Sequence, residues 1–426
     1  MDILQESCAG LDVHKKSVSV CVRKVDQAGK VTSKVREFST MTEGILAMGD
    51  WMAAQGVQHV AMESTGVYWK PVWNLLEARF ELMLCNARDV KNVPGRKTDT
   101  RDCQWLAQLL QHGLLRGSFI PPRPQRELRD LTRHRAQVTG EHTRVANRIA
   151  KTLEDANIKL SSVASDLLGQ SGRLMLKAVI AGETDAERLA ELAQRRLRGK
   201  IPELKKALRG GVSAHHRYML GMLFDHLTYL EKTIAELEGR IETVMGSEAL
   251  NEAPKENDTL PFDQAAELLN TIPGIEKRTA QAVLAEIGTN MAQFPSSGHL
   301  ASWAGLCPGN NESAGKRKSA KTTHGNRWLK RALSQAAWAA SHTRDTYLNA
   351  QYRRLARRRG KKRAIVALSH TLLTIIFHML DQNTVYYELG PEHFDTLSPE
   401  NRARFHKKQL EKLGFKVTLE IQEMVA

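Results

Sequence analysis

Cys8–Phe38 reads CAGLDVHKKSVSVCVRKVDQAGKVTSKVREF. CAGLDV is a short apolar run. SVSVCVRKV (Ser17–Val25) alternates apolar and polar residues, as a half-buried strand does. QAGK (Gln27–Lys30) supplies a turn, and VTSKVREF (Val31–Phe38) is a third strand. A helical stretch follows over Thr42–Gln55, then a buried strand in VQHVAMES (Val57–Ser64). GVYWKPVWNLLEA is a helix starting at Pro71, whose fixed φ suits a first turn. FELMLCNA (Phe80–Ala87) is a fifth strand, and DVKNVPGRK is a loop with a Pro-Gly turn. GRKTDTRDCQWLAQLL (Gly95–Leu110) then opens another helix.

Three strands in a meander that feed parallel strands alternating with helices give an α/β domain with the ribonuclease H arrangement over residues 1–122. That topology brings the ends of particular strands together, and acids stand at those ends. Asp12 closes the first strand in GLDVHKK. Glu63 closes the fourth in AMESTG. Asp99 and Asp102, three apart, share one face of the helix that follows. A charge ending an apolar strand is costly unless paired or metal-bound. Four carboxylates at these positions suit a pair of Mg²⁺ ions serving phosphoryl transfer. Asp89, in the loop before Pro94, is a poorer fit. Lys97 and Arg101 stand where a phosphate would approach the acids. His14, Lys15 and Lys16 form a turn suited equally to a backbone phosphate or to solvent.

Beyond this domain the chain is charged and helical. Residues 123–250 read as an α-helical arm. One helix runs over about Pro124–Ile158, with an apolar seam at Leu128, Leu131, Val138, Val145 and Ile149. Another carries Leu220, Leu223, Leu227, Leu230, Ile234, Leu237, Ile241 and Val244, a 3-4 heptad spacing expected of a coiled coil that pairs within the chain or between chains. After the polar linker NEAPKENDT (Asn251–Thr259), residues 251–383 form a mostly helical domain. It opens on a helix-hairpin-helix pattern, LLNTIPGIEKRTAQAVLAEIG (Leu268–Gly288), whose tight turn would offer backbone N–H groups to a phosphate. A Gly- and Ser-rich loop, a helix (RWLKRALSQAAWAASHT), a basic helix (YRRLARRRGKKRAIV) and an apolar helix ending near Leu380 complete it. Residues 384–426 carry no motif.

The chain has 426 residues, 62 Lys and Arg against 47 Asp and Glu, and a formal net charge of +15, which favours a polyanionic partner, nucleic acid first. Eight cations, Arg353, Arg354, Arg357, Arg358, Arg359, Lys361, Lys362 and Arg363, are too dense for an ordinary solvated face and read as a nucleic-acid footprint. Aromatic residues are only 6%, so stacking on single-stranded bases is not an obvious theme. The five cysteines, Cys8, Cys21, Cys85, Cys103 and Cys307, lie far apart, without zinc spacing, and are expected to be buried thiols in a reducing compartment. No apolar run of about 20 residues and no charged-then-apolar N-terminal segment is apparent, so no membrane partner is expected.

The stretches GLDVHKKSVSVCV, AMESTGVYWKPVWNLLE and NARDVKNVPGRKTDTRDCQWLAQLL resemble the N-terminal domain of the DEDD-type insertion-sequence transposases of the IS110 family, to which the pilin-gene invertases belong. IPGIEKRTAQAVLAEIG and HLASWAGLCPGNNESAGKRKSAKTTHGNRWLKRAL resemble that family's second domain. The resemblance covers about 1–120 and 260–380. It implies a RuvC-like metal site made of Asp12, Glu63, Asp99 and Asp102, and a nucleophilic serine at Ser313 in NESAGK. On its own, a serine in a Gly/Asn-rich loop reads as a turn residue, with Ser319, Ser296 and Ser297 nearby. The resemblance also implies a Mg²⁺-dependent recombinase acting on donor and target DNA under the guidance of a bridge RNA. It further implies a serine–DNA intermediate and a tetramer in which one protomer's acids meet another's serine. Lys316, Lys318, Lys321 and Asn326 are candidate phosphate contacts beside Ser313, and Arg354, Arg357, Arg358 and Lys361 are candidates in the basic run. A bacterial cytoplasmic, nucleoid-associated protein is expected. Two alternatives stay open: a RuvC-like endonuclease using metal-activated water, and a non-catalytic nucleic-acid binder descended from a transposase.

Overall fold

The computed structural model describes residues 3–26, 29–64, 66–87, 90, 102–251, 259–309, 311–314, 316–319, 321–396 and 399–418. The chain divides into two compact units, Met1–Pro121 and Pro122–Ala426.

The first unit is built on β1 (Ser7–Val13), β2 (Ser17–Val25), β3 (Val31–Ser39), β4 (His59–Glu63) and β5 (Glu81–Cys85), in the sheet order β3-β2-β1-β4-β5. β1–β2 and β2–β3 are antiparallel, whereas β1–β4 and β4–β5 are parallel. The meander feeding parallel strands is thus observed. Helices α1 (Thr42–Ala54) and α2 (Trp69–Leu76) cover one face. Ile45, Met48, Met52, Val72 and Leu76 pack there with Ala9, Leu11, Val13, Val60 and Met62. α3 (Asp102–Gln111) covers the other face, where Trp105, Leu106 and Leu109 meet Cys8, Ala61 and Cys85. β4 is therefore apolar on both sides, as a central parallel strand should be. α2 begins two residues before Pro71. Proline is tolerated there because the first-turn N–H groups have no helical partner to lose.

Gly10 sets how closely α3 lies on the sheet. A Cβ at this position would come within 2.3 Å of the Cys103 carbonyl oxygen and 2.4 Å of the Ala107 nitrogen. Cys8 Sγ, one turn of pleat earlier, donates to the Ala107 oxygen at 3.4 Å. β1 and α3 consequently run in opposite senses, and the N-terminus of α3 lies toward Asp12.

In the second unit, α4 (Arg123–Asp155, 33 residues) packs along α6 (Ala214–Met245, 32 residues), with α5 (Gln170–Ala181) and shorter helices between their flanks. Val138, Val145, Ile149 and Leu153 meet Leu220, Phe224, Leu227 and Leu230 in one core. The spacing read from sequence holds at Leu227, Leu230 and Ile241, which are buried, while Leu223, Ile234 and Leu237 are partly covered. Residues 123–250 and 251–383 belong to one compact unit, because α4 also docks on α8.

α7 (Phe262–Asn270) and α8 (Lys277–Ile287) form the helical hairpin expected from Leu268–Gly288. Its turn backs onto α10 (Arg327–Ala340): Gly274 takes φ 86°, and a Cβ there would lie 2.5 Å from the Ala340 nitrogen. α9 (Ser297–Trp303) precedes the stretch read as a loop. That stretch contains a small antiparallel hairpin, β6 (Asn311–Ser313) and β7 (Lys316–Ser319), which the sequence hides because KRKS has no apolar alternation. The basic run, read as one helix, is two. α11 (Tyr347–Arg359) ends at Gly360, whose φ of 81° and ψ of 157° no helix continues, and α12 (Lys361–Gln382) starts anew.

α12 corrects the expectation that no long apolar segment exists, since by length and composition it could cross a membrane. Half of its apolar window is buried, and Leu368, Leu372, Leu373 and Ile376 are fully covered where it packs on α10 and α9. Ser369, His370, Thr371, Thr374 and His378 interrupt the apolar run that a sequence scan looks for.

Candidate active site and nucleic-acid surface

Asp12 and Glu63 end neighbouring parallel strands. β1 and β4 pair Cys8 with His59, Ala9 with Val60, Gly10 with Ala61 and Leu11 with Met62, so the next step of the same register sets Asp12 beside Glu63. Adjacent strands are about 4.8 Å apart. Side chains alternate, and Asp12 shares the parity of Cys8 and Gly10, as Glu63 shares that of Ala61. Both therefore belong to the face that α3 covers. Asp102 is the first residue of α3 and is exposed. The antiparallel run of α3 over β1 carries Asp102 to the same end of the sheet. Register, parity and the run of α3 put Asp12, Glu63 and Asp102 toward one end of the sheet, where among the described residues they do not converge as a ready-made metal-binding group. Asp99, Lys97 and Arg101 lie outside the described residues.

The Asp12 side chain is 26% exposed, and its Oδ2 lies 3.2 Å from His14 Nε2. His14 is therefore Asp12's ion-pair partner when protonated. Lys15 and Lys16, beside it in the turn, are exposed. The donor set is hard oxygen, which suits Mg²⁺ rather than a soft metal. Among the described residues no three His, Cys, Asp or Glu side chains already converge as a metal-binding group. The thiols on this face offer no competing site. Burial pushes Cys8 up to about 11 and Cys21 to about 12, so neither is a thiolate at neutral pH.

In the second unit, Ser313 pairs across the hairpin with Lys316, whose side chain is exposed. The side chains of Ser313 and Lys318 lie outside the described part of the structure. Lys321 is exposed, and its carbonyl accepts from the Gly309 amide at 2.9 Å. Asn326, expected at a phosphate, is committed within the protein. Its Oδ1 accepts from the Trp328 and Leu329 amides at 3.0 and 3.1 Å, capping α10, and its Nδ2 donates to Glu286 Oε2 at 2.6 Å.

Glu286 is a buried acid that sequence reasoning missed, and it ties α4 and the start of α10 to α8. It is 2% exposed. Arg133 binds it with both arms of its guanidinium at 2.7 Å, and Arg129 Nε stands 3.4 Å away. Burial lowers Arg129 to about 10, which leaves it charged at neutral pH against the Glu286 carboxylate. Arg135 is also buried, donating to the Arg278 carbonyl at 2.9 Å and to Gln281. A signal existed: α4's apolar seam is sparse between Leu128 and Val138, and Arg129, Thr132 and Arg135 fill the gap.

The basic run behaves oppositely. Arg353, Arg354, Arg357, Arg358, Arg359, Lys361, Lys362 and Arg363 are all exposed. Among the described residues none of the eight has a carboxylate within ion-pairing distance. A strip of this charge has the chemistry to neutralise phosphate backbones.

Two family models match the chain in order. A DEDD-type model described as "Transposase" covers residues 9–158, and one described as "Transposase IS116/IS110/IS902 family" covers 266–353. The chain is 30% identical over 136 residues to the "Insertion element IS110 uncharacterized 43.6 kDa protein" of Streptomyces coelicolor, across 32% of this chain and 33% of that protein. It is 35% identical over 130 residues to the "Pilin gene-inverting protein" of Moraxella bovis and to that of Moraxella lacunata, across 30% of this chain and 40% of each relative. The matched part therefore spans well under two thirds of these relatives. The two family models, in order along the chain, and the relatives agree: the chain belongs to the IS110 family of transposases.

Proposed function

We propose that this chain is a DNA recombinase that mobilises its own insertion element, with Mg²⁺ as cofactor and a structured bridge RNA as guide. The observation that carries this reading is the parallel β1–β4 pairing, whose register, continued by one step, supports Asp12 and Glu63 as neighbours at the end of the sheet where α3 begins. The sheet order β3-β2-β1-β4-β5 supports a RuvC or ribonuclease H-like site. Asp12, Glu63 and Asp102, completed by Asp99, would hold Mg²⁺, which when bound supplies Lewis-acid stabilisation of charge on the phosphoryl oxygens. Ser313 is the nucleophile. Its oxygen forms the new P–O bond, its proton passes to the surroundings, and the departing DNA oxygen takes one up. Strand exchange then reverses this step on a second strand, so the phosphodiester energy is kept and no ATP is needed. Lys316, Lys318 and Lys321 neutralise the phosphate near Ser313, and the cations of α11 and α12 hold the backbone.

Base pairing with the RNA selects donor and target, while the protein reads backbone and shape. The acids and the serine act from different protomers of a tetramer. An apolar stripe on α6, with Tyr218, Met222 and Tyr229 67%, 56% and 65% exposed, supports self-association. Work on chromosomal DNA puts the protein at the nucleoid.

The test uses the purified chain, the RNA from the element's non-coding end, Mg²⁺, and donor and target duplexes. Wild type should give recombinants and a protein–DNA adduct that survives denaturation. Ser313→Ala should give neither. Cutting by Ser313→Ala would instead establish a water-using endonuclease, and equal recombination without RNA would remove the guide from the account.

A further inference from the structure

The segment after α12 is extended, and its exposed side is apolar. Val385, Tyr387 and Leu389 alternate outward at 67%, 79% and 46% exposure. Tyr386 is half-buried between them, its amide donating to Thr271 Oγ1 at 3.3 Å. Glu388 fixes the segment: its Oε1 accepts from the Tyr347 and Gly390 amides at 2.7 and 2.9 Å, and its Oε2 accepts from the Tyr386 hydroxyl at 3.2 Å. That carboxylate therefore braces the loop against the first turn of α11. Between the segment and α12 lies a groove of about 390 Å³, lined by Tyr347, Ile375, His378, Met379, Tyr386 and Tyr387 among others.

The groove connects to the basic run by ring stacking. Tyr347, the first residue of α11, lies parallel to Phe394 with centroids 5.0 Å apart and 18° between planes. The Arg354 guanidinium covers the Phe394 ring at 5.3 Å. Tyr347, Arg354 and Arg358 are spaced i, i+7 and i+11, so they share one face of α11. The groove's wall at Tyr347 thus continues along one face of α11 into Arg354 and Arg358. An apolar protein partner would gain nothing from eight cations without carboxylate partners. A nucleic-acid strand uses both parts, since stacking on an aromatic face and neutralisation of phosphates are the two terms of single-strand binding.

We infer that the groove beside Tyr387 receives an unpaired base of a single-stranded nucleic acid whose phosphates lie on α11. This rests on the reading of the protein as a nucleic-acid enzyme, and it gives stacking a place that the few aromatics did not make obvious. What composition cannot register is placement: the chain has only 7 Tyr, yet three of them, Tyr347, Tyr386 and Tyr387, line this groove.

The full-length chain is titrated, by fluorescence anisotropy, against labelled oligothymidine, oligouridine and a duplex of equal length. Tyr387→Ala should weaken single-strand binding about 10-fold and leave duplex binding unchanged. Tyr387→Trp should retain it. Arg358→Ala should weaken all three and reduce the salt dependence. Oligothymidine and oligouridine losses, compared, tell whether the strand is DNA or RNA. Because Tyr387 is largely exposed, its variants should melt at the wild-type temperature. Equal loss on duplex and single strand, no loss at all, or a change of oligomeric mass in Tyr387→Ala would each overturn the inference. A wild-type chain that binds none of the three probes would instead overturn the recombinase reading beneath it.

Discussion

Asp12 stands one residue before the end of a strand whose side chains are nearly all buried, and a quarter-exposed carboxylate there needs partners. Its position was legible because the acid stands out at the end of an apolar run. Glu63 was legible for the same reason. Gly10 was not, since a glycine inside a strand announces a close approach without saying to what. Gly10→Ala should lower stability by about 1–3 kcal/mol and depress recombination further than that loss explains, because the added methyl displaces the backbone that carries Asp102. Thermal melts and recombination assays below the melting range separate the two effects. Glu286 was illegible because LAEIG reads as an ordinary helical acid, and its partners come from a helix more than 150 positions away. Glu286→Ala leaves Arg129 and Arg133 without their counter-charge and should destabilise the second unit by about 3–5 kcal/mol, read from urea melts.

Periodicity carries further for elements than for residues. The alternation of Ser17–Val25 and the heptad seam of α6 predicted their elements because each has a covered side. The β6–β7 hairpin has charged strands and no core of its own, so no pattern could reveal it. The break at Gly360 was masked by good helix formers on both sides, Arg359 and Lys361, although a glycine between them was the cue. Three helices meet at Glu231 of α6, where His142 Nε2 of α4 lies at 3.1 Å and Arg173 of α5 also pairs. Burial alone would raise the Glu231 carboxyl, but hydrogen bonds from Arg173 and His142 outweigh it and hold the group below its ordinary value. A carboxyl lowered by folding stabilises fully above its unfolded value of 4.5, and that contribution is lost as pH falls through the folded value. Glu231→Gln should therefore be less stable at neutral pH and lose stability less steeply below pH 4.5, by melts across an acid series.

At the scale of the molecule, charge was the plainest message of the sequence, but its division was not. Two sets among the 62 basic residues stand in opposite settings. Arg129, Arg133 and Arg135 hold α4 onto α8 from inside, whereas the run on α11 and α12 stays outside with no acidic neighbours among the described residues. Replacing Arg357, Arg358 and Lys361 with alanine together should leave the melt unchanged and reduce the slope of log affinity against log salt by about 3 on duplex DNA, near one for each phosphate that is no longer neutralised. The same triple change made at Arg129, Arg133 and Arg135 should unfold the second unit rather than tune its binding.

In the proposed reaction, the acids at the ends of β1 and β4 and at the start of α3 drive strand exchange. Their role is tested most directly by recombination of donor and target with Asp12→Asn, in Mg²⁺ and with the element's RNA, after showing that the variant melts and binds DNA like wild type. The account predicts no recombinant product from this variant. Product at the wild-type rate would contradict it.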